Sequence, residues 1–136
     1  MKFLKNNYKY ILLFILFFTI NYFYNYQNMN SDTMWNYSFS HAIRMGEIPY
    51  KDFNLIATPL FSFVMSVGLF IYDDMIVFLI EHTILIVLLF SLFIKEYGNK
   101  GWLMFPMLTL PFFSQMNATY NFFSFLLVII ILMMEK

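Results

Sequence analysis

From Met75 to Ile94 the chain reads MIVFLIEHTILIVLLFSLFI, with Asp73 and Asp74 before it and Lys95 and Glu96 after it. A helix of about twenty mostly apolar residues crosses the roughly 30 Å hydrocarbon core of a bilayer, whereas runs of ten to fourteen lie in the interface or re-enter. Nothing else in the sequence narrows the choice of fold as far. The remainder of the chain agrees, because 61% of the 136 residues are hydrophobic and only 12% are charged. A soluble domain carries about twice that charge, so this composition excludes both disorder and a free-standing soluble enzyme. Eight basic and eight acidic residues cancel, and no bulk charge points to nucleic acid. The absence of cysteine removes disulfide frameworks, thiol catalysis and zinc-finger spacing.

An all-α membrane protein follows, read as one membrane domain over residues 1–136 with four predicted transmembrane helices at 10–26, 75–94, 102–116 and 122–134. The first is led by Lys2, Lys5 and Lys9 and closed by Tyr22, Tyr24 and Tyr26 as an interfacial belt. It has no small-x-small cleavage site, which favours a retained anchor over a signal peptide. Pro106 and Pro111 bend the third. The segment 55–72 is long enough to span if read whole, but from Pro59 onward it is too short to cross, since its residues rise only about 1.5 Å each in a helix. If it lies in or along the outer leaflet, Lys95, Lys100 and Lys136 join the three N-terminal lysines on one side. The positive-inside rule then places both termini in the cytoplasm of a multi-pass cell-membrane protein. Only Arg44 and Lys51 stay outside, beside Glu47 and Asp52.

The outer loop, 27–74, is long for a connector, and loops of that length are functional or disordered. Trp35, Phe39, Ala42 and Ile43 recur at helical spacing beside Asn36, Ser40 and Arg44, which predicts an amphipathic surface helix over 33–45. Asp32 is the expected N-cap and Gly46 the expected C′ residue. The turn-rich run Gly46-Glu47-Ile48-Pro49-Tyr50-Lys51-Asp52-Phe53-Asn54 leads to Pro59-Leu60-Phe61 and the second interfacial helix, 59–72.

These residues carry a resemblance. Asp32-x-x-Trp35-x-Tyr37, then Gly46-x-Ile48-Pro49-Tyr50-x-Asp52-Phe53-Asn54, Pro59-Leu60-Phe61 and finally Ala118-Thr119-Tyr120-Asn121-Phe122 stand in an order that resembles the N-terminal part of GT-C fold integral-membrane glycosyltransferases. The bacterial protein mannosyltransferases and aminoarabinose transferases are the nearest in pattern. The resemblance implies transfer of a sugar from a polyprenyl-phosphate carrier to an acceptor on the outer face, without a cofactor. It implies that Asp32 is the catalytic carboxylate, either taking a proton from the acceptor hydroxyl or serving as a metal-linked carboxylate. Trp35, Arg44, Tyr50, Lys51, Asp52, Tyr120 and Asn121 are the implied substrate-binding residues, with Arg44, Lys51 and Tyr50 near the carrier phosphate. Asn117, Tyr120 and Asn121 stand where such enzymes often offer a second carboxylate, so no metal is implied. Thr58 replaces the charged pair of the aminoarabinose type.

Each residue has a plainer role beside this one. Asp32 caps a helix, Trp35 and Tyr50 anchor at the interface, Arg44 and Lys51 neutralise Glu47 and Asp52, Asp52 fixes a turn, and His41 stands alone. Asp73 and Asp74 are adjacent loop residues whose side chains diverge. Glu81 and His82 are ionisable groups inside the second span, where such groups face a bundle interior or a wet cavity. They point about 100° apart on the helix, and Asn21 is a candidate partner for Glu81. The chain therefore reads as the N-terminal portion of a larger enzyme, truncated or split and inactive alone, whose partners are lipids, a polyprenyl-phosphate-linked sugar and the remaining part as a separate chain. The competing reading is a complete, non-catalytic four-helix membrane protein that binds or translocates a lipid-linked sugar or scaffolds a partner.

Overall fold

The computed structural model describes residues 2–28, 30–103 and 118–134, and the described residues are helical with no strand. The only ladder-type contact among them is an isolated bridge between Pro49 and Phe53. Helix α1 covers Lys2–Asn21 and runs into a π-helical segment, Tyr22–Gln27. Helix α2 is Ser31–Arg44, α3 is Leu60–Ser66 with a 3₁₀ turn at Gly68–Phe70, α4 is Met75–Tyr97, and α5 is Tyr120–Met134.

Among the described residues one helical stretch, α4 with its continuation to Leu103, is long and apolar enough to cross a membrane. No other described helix meets that length and hydropathy, so one of the four expected spans has this support. The expected first span is helical, but its apolar run follows three lysines and ends at Asn21, a fully buried amide. The expected fourth is a helix of 15 residues, and its apolar stretch 123–132 is shorter still. The expected third span, 102–116, lies almost wholly outside the described residues. The interfacial helix expected over 59–72 is broken: seven residues of α3, then the 3₁₀ turn.

Two apolar clusters hold the elements together. On α4, Ile86, Phe90 and Phe93 recur at three- and four-residue spacing and meet Phe17 of α1, with Leu13 beside it and Phe125 and Ile129 of α5 closing the cluster. The rings of Phe17 and Phe90 meet edge to face at 6.3 Å. Nearer the long loop, Phe61, Met65 and Leu69 of the α3 segment pack on Phe78 and Leu79 of α4 and on Ala118, with Phe123 and Tyr37 against them. Phe61 and Phe78 are edge to face at 6.3 Å. After Tyr97 the chain folds back on α4: Gly98 takes φ +57°, and a Cβ at Gly101 would stand 2.8 Å from the Phe93 carbonyl oxygen. Glycine is required at both positions, by conformation at the first and by space at the second.

Candidate functional site

Helix α2 carries Asp32, Trp35 and Arg44 of the implied site, and its ends are fixed by local chemistry. Its N-cap is Asn30, whose side-chain oxygen accepts from Thr33 N at 3.1 Å. That corrects the expected cap: Asp32 sits one residue inside the helix, exposed in the first turn, where a carboxylate interacts well with the helix dipole. At the other end Gly46 has φ +89°; its N–H bonds Ile43 O and that of Glu47 bonds Ala42 O. This is the paired closure of a Schellman motif, with Gly46 as its C′ residue.

Next to Asp32, Thr33 is the meeting point of three segments. Its hydroxyl donates to Asn25 Oδ1 at 2.6 Å and accepts from Ala118 N at 3.2 Å. Asn25 Nδ2 donates to Asn21 Oδ1 at 3.0 Å, and Asn21 Nδ2 donates to Thr83 Oγ1 at 3.0 Å and lies 3.3 Å from His82 Nδ1. Thr83 in turn donates to Leu79 O. Asn21, Asn25, Thr33 and Thr83 are all fully buried. A continuous polar chain thus runs from the interior of α4, through α1, to α2 and the residues that precede α5. Burial without partners would cost each of these groups more than the bonds return, so the chain is fixed as a unit.

Glu81 does not pair with Asn21. Its Oε2 accepts from Gly68 N at 3.0 Å, which ties α4 to the α3 segment, while His82 on the adjacent face turns to α1. A side chain at Gly68 would meet that carboxylate at 2.8 Å.

Arg44 is not spent on Glu47. Its guanidinium lies 3.3 Å from Asp73 Oδ2, His41 Nε2 lies 3.0 Å from the same oxygen, and Tyr37 O–H reaches Asp73 Oδ1 at 3.5 Å. Burial raises the Tyr37 phenol above its ordinary value. The charges of Asp73 and Asp74 and the hydrogen bond to Asp73 push the same way, against a smaller opposing effect of Arg44. Asp74 turns the other way and caps α4, accepting from Ile76 N at 2.6 Å.

Tyr50, Lys51 and Asp52 form a turn of their own. Asp52 Oδ2 accepts from Ile48 N at 2.8 Å while Asp52 N bonds Ile48 O, so the carboxylate fixes the turn. Tyr50 holds φ +67°, a left-handed conformation costly for a bulky residue, and its hydroxyl donates to Ala57 O at 2.8 Å. Lys51 is exposed. Trp35 meets Phe39 edge to face at 4.5 Å, and Phe39 stacks on Phe53 at 5.5 Å, linking this turn to α2. Tyr120 packs on the cluster around Phe61, and Asn121 is exposed. The structure therefore joins the Asp32 and Ala118–Asn121 segments and leaves the Tyr50 turn as a neighbour held through aromatic contacts.

Sequence reasoning passed over Asn21, Asn25, Thr33, Tyr37 and Asp73 in these roles. Asn21 and Asn25 are four residues apart within an otherwise apolar helix, and Tyr37, His41 and Arg44 recur at i, i+4 and i+7; both spacings are visible in the sequence. An open groove of about 450 Å³ lies at the far end of α1, lined by Tyr8, Lys9, Leu12, Leu13, Leu16 and Trp102. Among the described residues no three His, Asp or Glu side chains gather closely enough to hold a metal ion. Comparison with protein-family models, curated proteins and solved structures finds no match.

Proposed function

We propose that the chain forms the outer-face acceptor and carrier site of a GT-C type glycosyltransferase that uses a polyprenyl-phosphate-linked sugar. The observation that carries this reading is the hydrogen bond from Ala118 N to Thr33 Oγ1. It brings together two motif segments that the family pattern separates by 85 residues here, and it sets exposed Asp32 beside them. In the proposed reaction the acceptor hydroxyl oxygen bonds the sugar C1, the C1–O bond to the carrier phosphate breaks, and Asp32 takes the hydroxyl proton. Polyprenyl phosphate is the leaving group. A base held next to a reacting hydroxyl contributes about 10²- to 10⁴-fold in rate.

The topology belongs to the same proposal: four spans, cytoplasmic termini, and the segment 59–72 in the outer leaflet. What supports the placement of 59–72 is the row Leu60, Phe63, Val67, Phe70 and Ile71, which is exposed along α3 and its 3₁₀ turn. Apolar residues in such a row suit a lipid surface better than water. In this reading the remaining GT-C spans complete the cavity, from the same chain or a separate one.

Sealed right-side-out membranes containing the protein, supplied with labelled polyprenyl-phosphate sugar, test the reading. Transfer of label to an outer-face acceptor that disappears when the gene is deleted supports it; equal transfer in both membranes contradicts it. Because the protein lacks cysteine, a single cysteine at position 97 reports topology cleanly. Its labelling by an impermeant reagent in intact cells rules out the cytoplasmic placement.

A further inference from the structure

Lys9, Leu12, Leu13 and Leu16 stand at i, i+3, i+4 and i+7 on α1 and so share one face of the helix. The same register carries back to Lys5 and Lys2, so a basic start continues into a leucine track. Leu13 is drawn inward onto the cluster of Phe17, Ile86 and Phe90, while Leu12 and Leu16 keep 59% and 54% of their surface open. Apolar side chains left open in a row suit a cover other than water.

The opposite wall is Trp102. Its ring meets Phe90 edge to face at 5.1 Å, and the close approach of Gly101 to the Phe93 carbonyl holds this part of the chain against α4. Phe17 also meets Phe90, and Asn21 meets Thr83, so α1 and α4 run antiparallel. Lys9 lies eight residues before Phe17 and Gly98 lies eight after Phe90, which brings Lys9 level with the turn that carries Lys100. The open groove of about 450 Å³ lies between α1 and Trp102, with Tyr8 and Lys9 toward the start of α1 and Leu16 toward the middle of the bundle. That volume is within the range of about 300–1,000 Å³ usual for small-molecule sites.

The chemistry of the groove selects its occupant. Lys9 is exposed, and no carboxylate pairs with it among the described residues. The same end carries Lys2, Lys5, Lys95 and Lys100 against one acid among the described residues, Glu96. A lysine stem lies along apolar surface with its ammonium at the headgroups, and Tyr8 and Trp102 are the aromatic types that favour that level. From Lys9 to Leu16 the helix rises about 10 Å, most of the roughly 15 Å depth of one hydrocarbon leaflet. A neutral headgroup leaves Lys9 without a counter-charge, and a soluble anion leaves the leucines uncovered.

We propose that the groove between α1 and Trp102 is a binding site for an anionic phospholipid, with the lipid phosphate at Lys9 and one acyl chain along Leu12, Leu13 and Leu16. The lipid belongs to the leaflet at the lysine end, the cytoplasmic one in the topology proposed above. It fills the gap between α1 and the folded-back turn after α4 and so fastens the two helices where their direct packing ends. The site requires that the chain sit in a bilayer and is independent of the glycosyltransferase reading.

The test uses the purified full chain in phosphatidylcholine nanodiscs that contain a minor share of phosphatidylglycerol. Trp35→Phe leaves Trp102 as the single tryptophan, and its fluorescence is quenched by a lipid whose acyl chains carry bromine. Brominating one lipid and then the other gives the preference at the groove. Phosphatidylglycerol should be preferred about fivefold or more, and Lys9→Gln should remove about fivefold, the worth of one lysine at an anionic surface. Lys95→Gln is the control: it lies about 140° round α4 from Phe90 and should keep the preference. Circular dichroism confirms the fold of each variant. Equal quenching by the two lipids overturns the proposal. A loss in Lys95→Gln as large as in Lys9→Gln also overturns it, in favour of diffuse surface charge. Quenching by neither lipid shows the groove covered by protein, a second copy included, and overturns it as well. Sugar transfer plays no part in the readout, so none of these results bears on the glycosyltransferase reading.

Discussion

The amide of Ala118 donates to the hydroxyl of Thr33 across 3.2 Å, and that same hydroxyl donates to Asn25 at 2.6 Å. One buried side chain thereby fixes the π-helical segment after α1, helix α2 and the residues before α5 at a single point. Thr33→Val keeps the shape and removes the hydroxyl, so the buried Ala118 amide loses its acceptor and Asn25 Oδ1 loses the Thr33 donor. Each such group costs about 1–3 kcal/mol. Thermal unfolding in detergent should show a clear loss of stability for Thr33→Val and near wild-type behaviour for Thr33→Ser; equal loss in both would mean that the methyl group, not the hydroxyl, matters.

Asn21 joins α1 to α4 through Thr83. Asn21→Leu should weaken the α1–α4 association by about 0.6–2 kcal/mol, the range for polar contacts between membrane helices. Because Asn25 also loses its partner, the double variant Asn21→Leu, Asn25→Leu should cost less than the sum of the two singles. Strict additivity in denaturant titrations would argue that the two amides act independently.

A Cβ at Gly68 would stand 2.8 Å from Glu81 Oε2, the movable end of its side chain, and 3.1 Å from Val77 Cγ1. Gly68→Ala should therefore displace the carboxylate from the Gly68 amide and cost that hydrogen bond, about 1 kcal/mol. Shortening the acid in Glu81→Ala removes the clash, so the double variant should be less impaired than addition of the singles implies. A double-mutant cycle with no coupling would contradict the contact.

Tyr37 gives a pH dependence with a defined sign. Its folded-state value is raised, so the folded protein favours the neutral phenol more than the unfolded chain does. The corresponding stability is complete below the unfolded phenol value of about 10 and is lost as pH rises through the higher folded value. Stability measured from about pH 9 upward should fall, and Tyr37→Phe should remove part of that fall. An unchanged alkaline slope in Tyr37→Phe would assign the loss to other groups.

Local features of the site were legible in the sequence because their causes are local. Gly46 ends α2 because a left-handed residue is needed where the apolar period stops, and Asp52 fixes its turn by reaching four residues back. The cap of α2 was misread by two residues, since Asn30 and Asp32 are both good caps and only the backbone path from Gln27 selects between them. Long-range pairing was not legible. Asn21 and His82 are 61 residues apart and Tyr37 and Asp73 are 36 apart, so nothing in the local pattern could assign Glu81 to Gly68 or Arg44 to Asp73. The resemblance supplied the order of the motifs; the meeting of Thr33 and Ala118 is a property of the fold.

The central claim is that Asp32 accepts the acceptor hydroxyl proton during sugar transfer. The direct measurement is kcat for transfer from a polyprenyl-phosphate sugar in membranes carrying the complete transferase, comparing wild type with Asp32→Asn at equal membrane insertion. The account predicts a fall in kcat of about 10²-fold or more with KM little changed. Asp32→Asn that transfers sugar at the wild-type rate would contradict it.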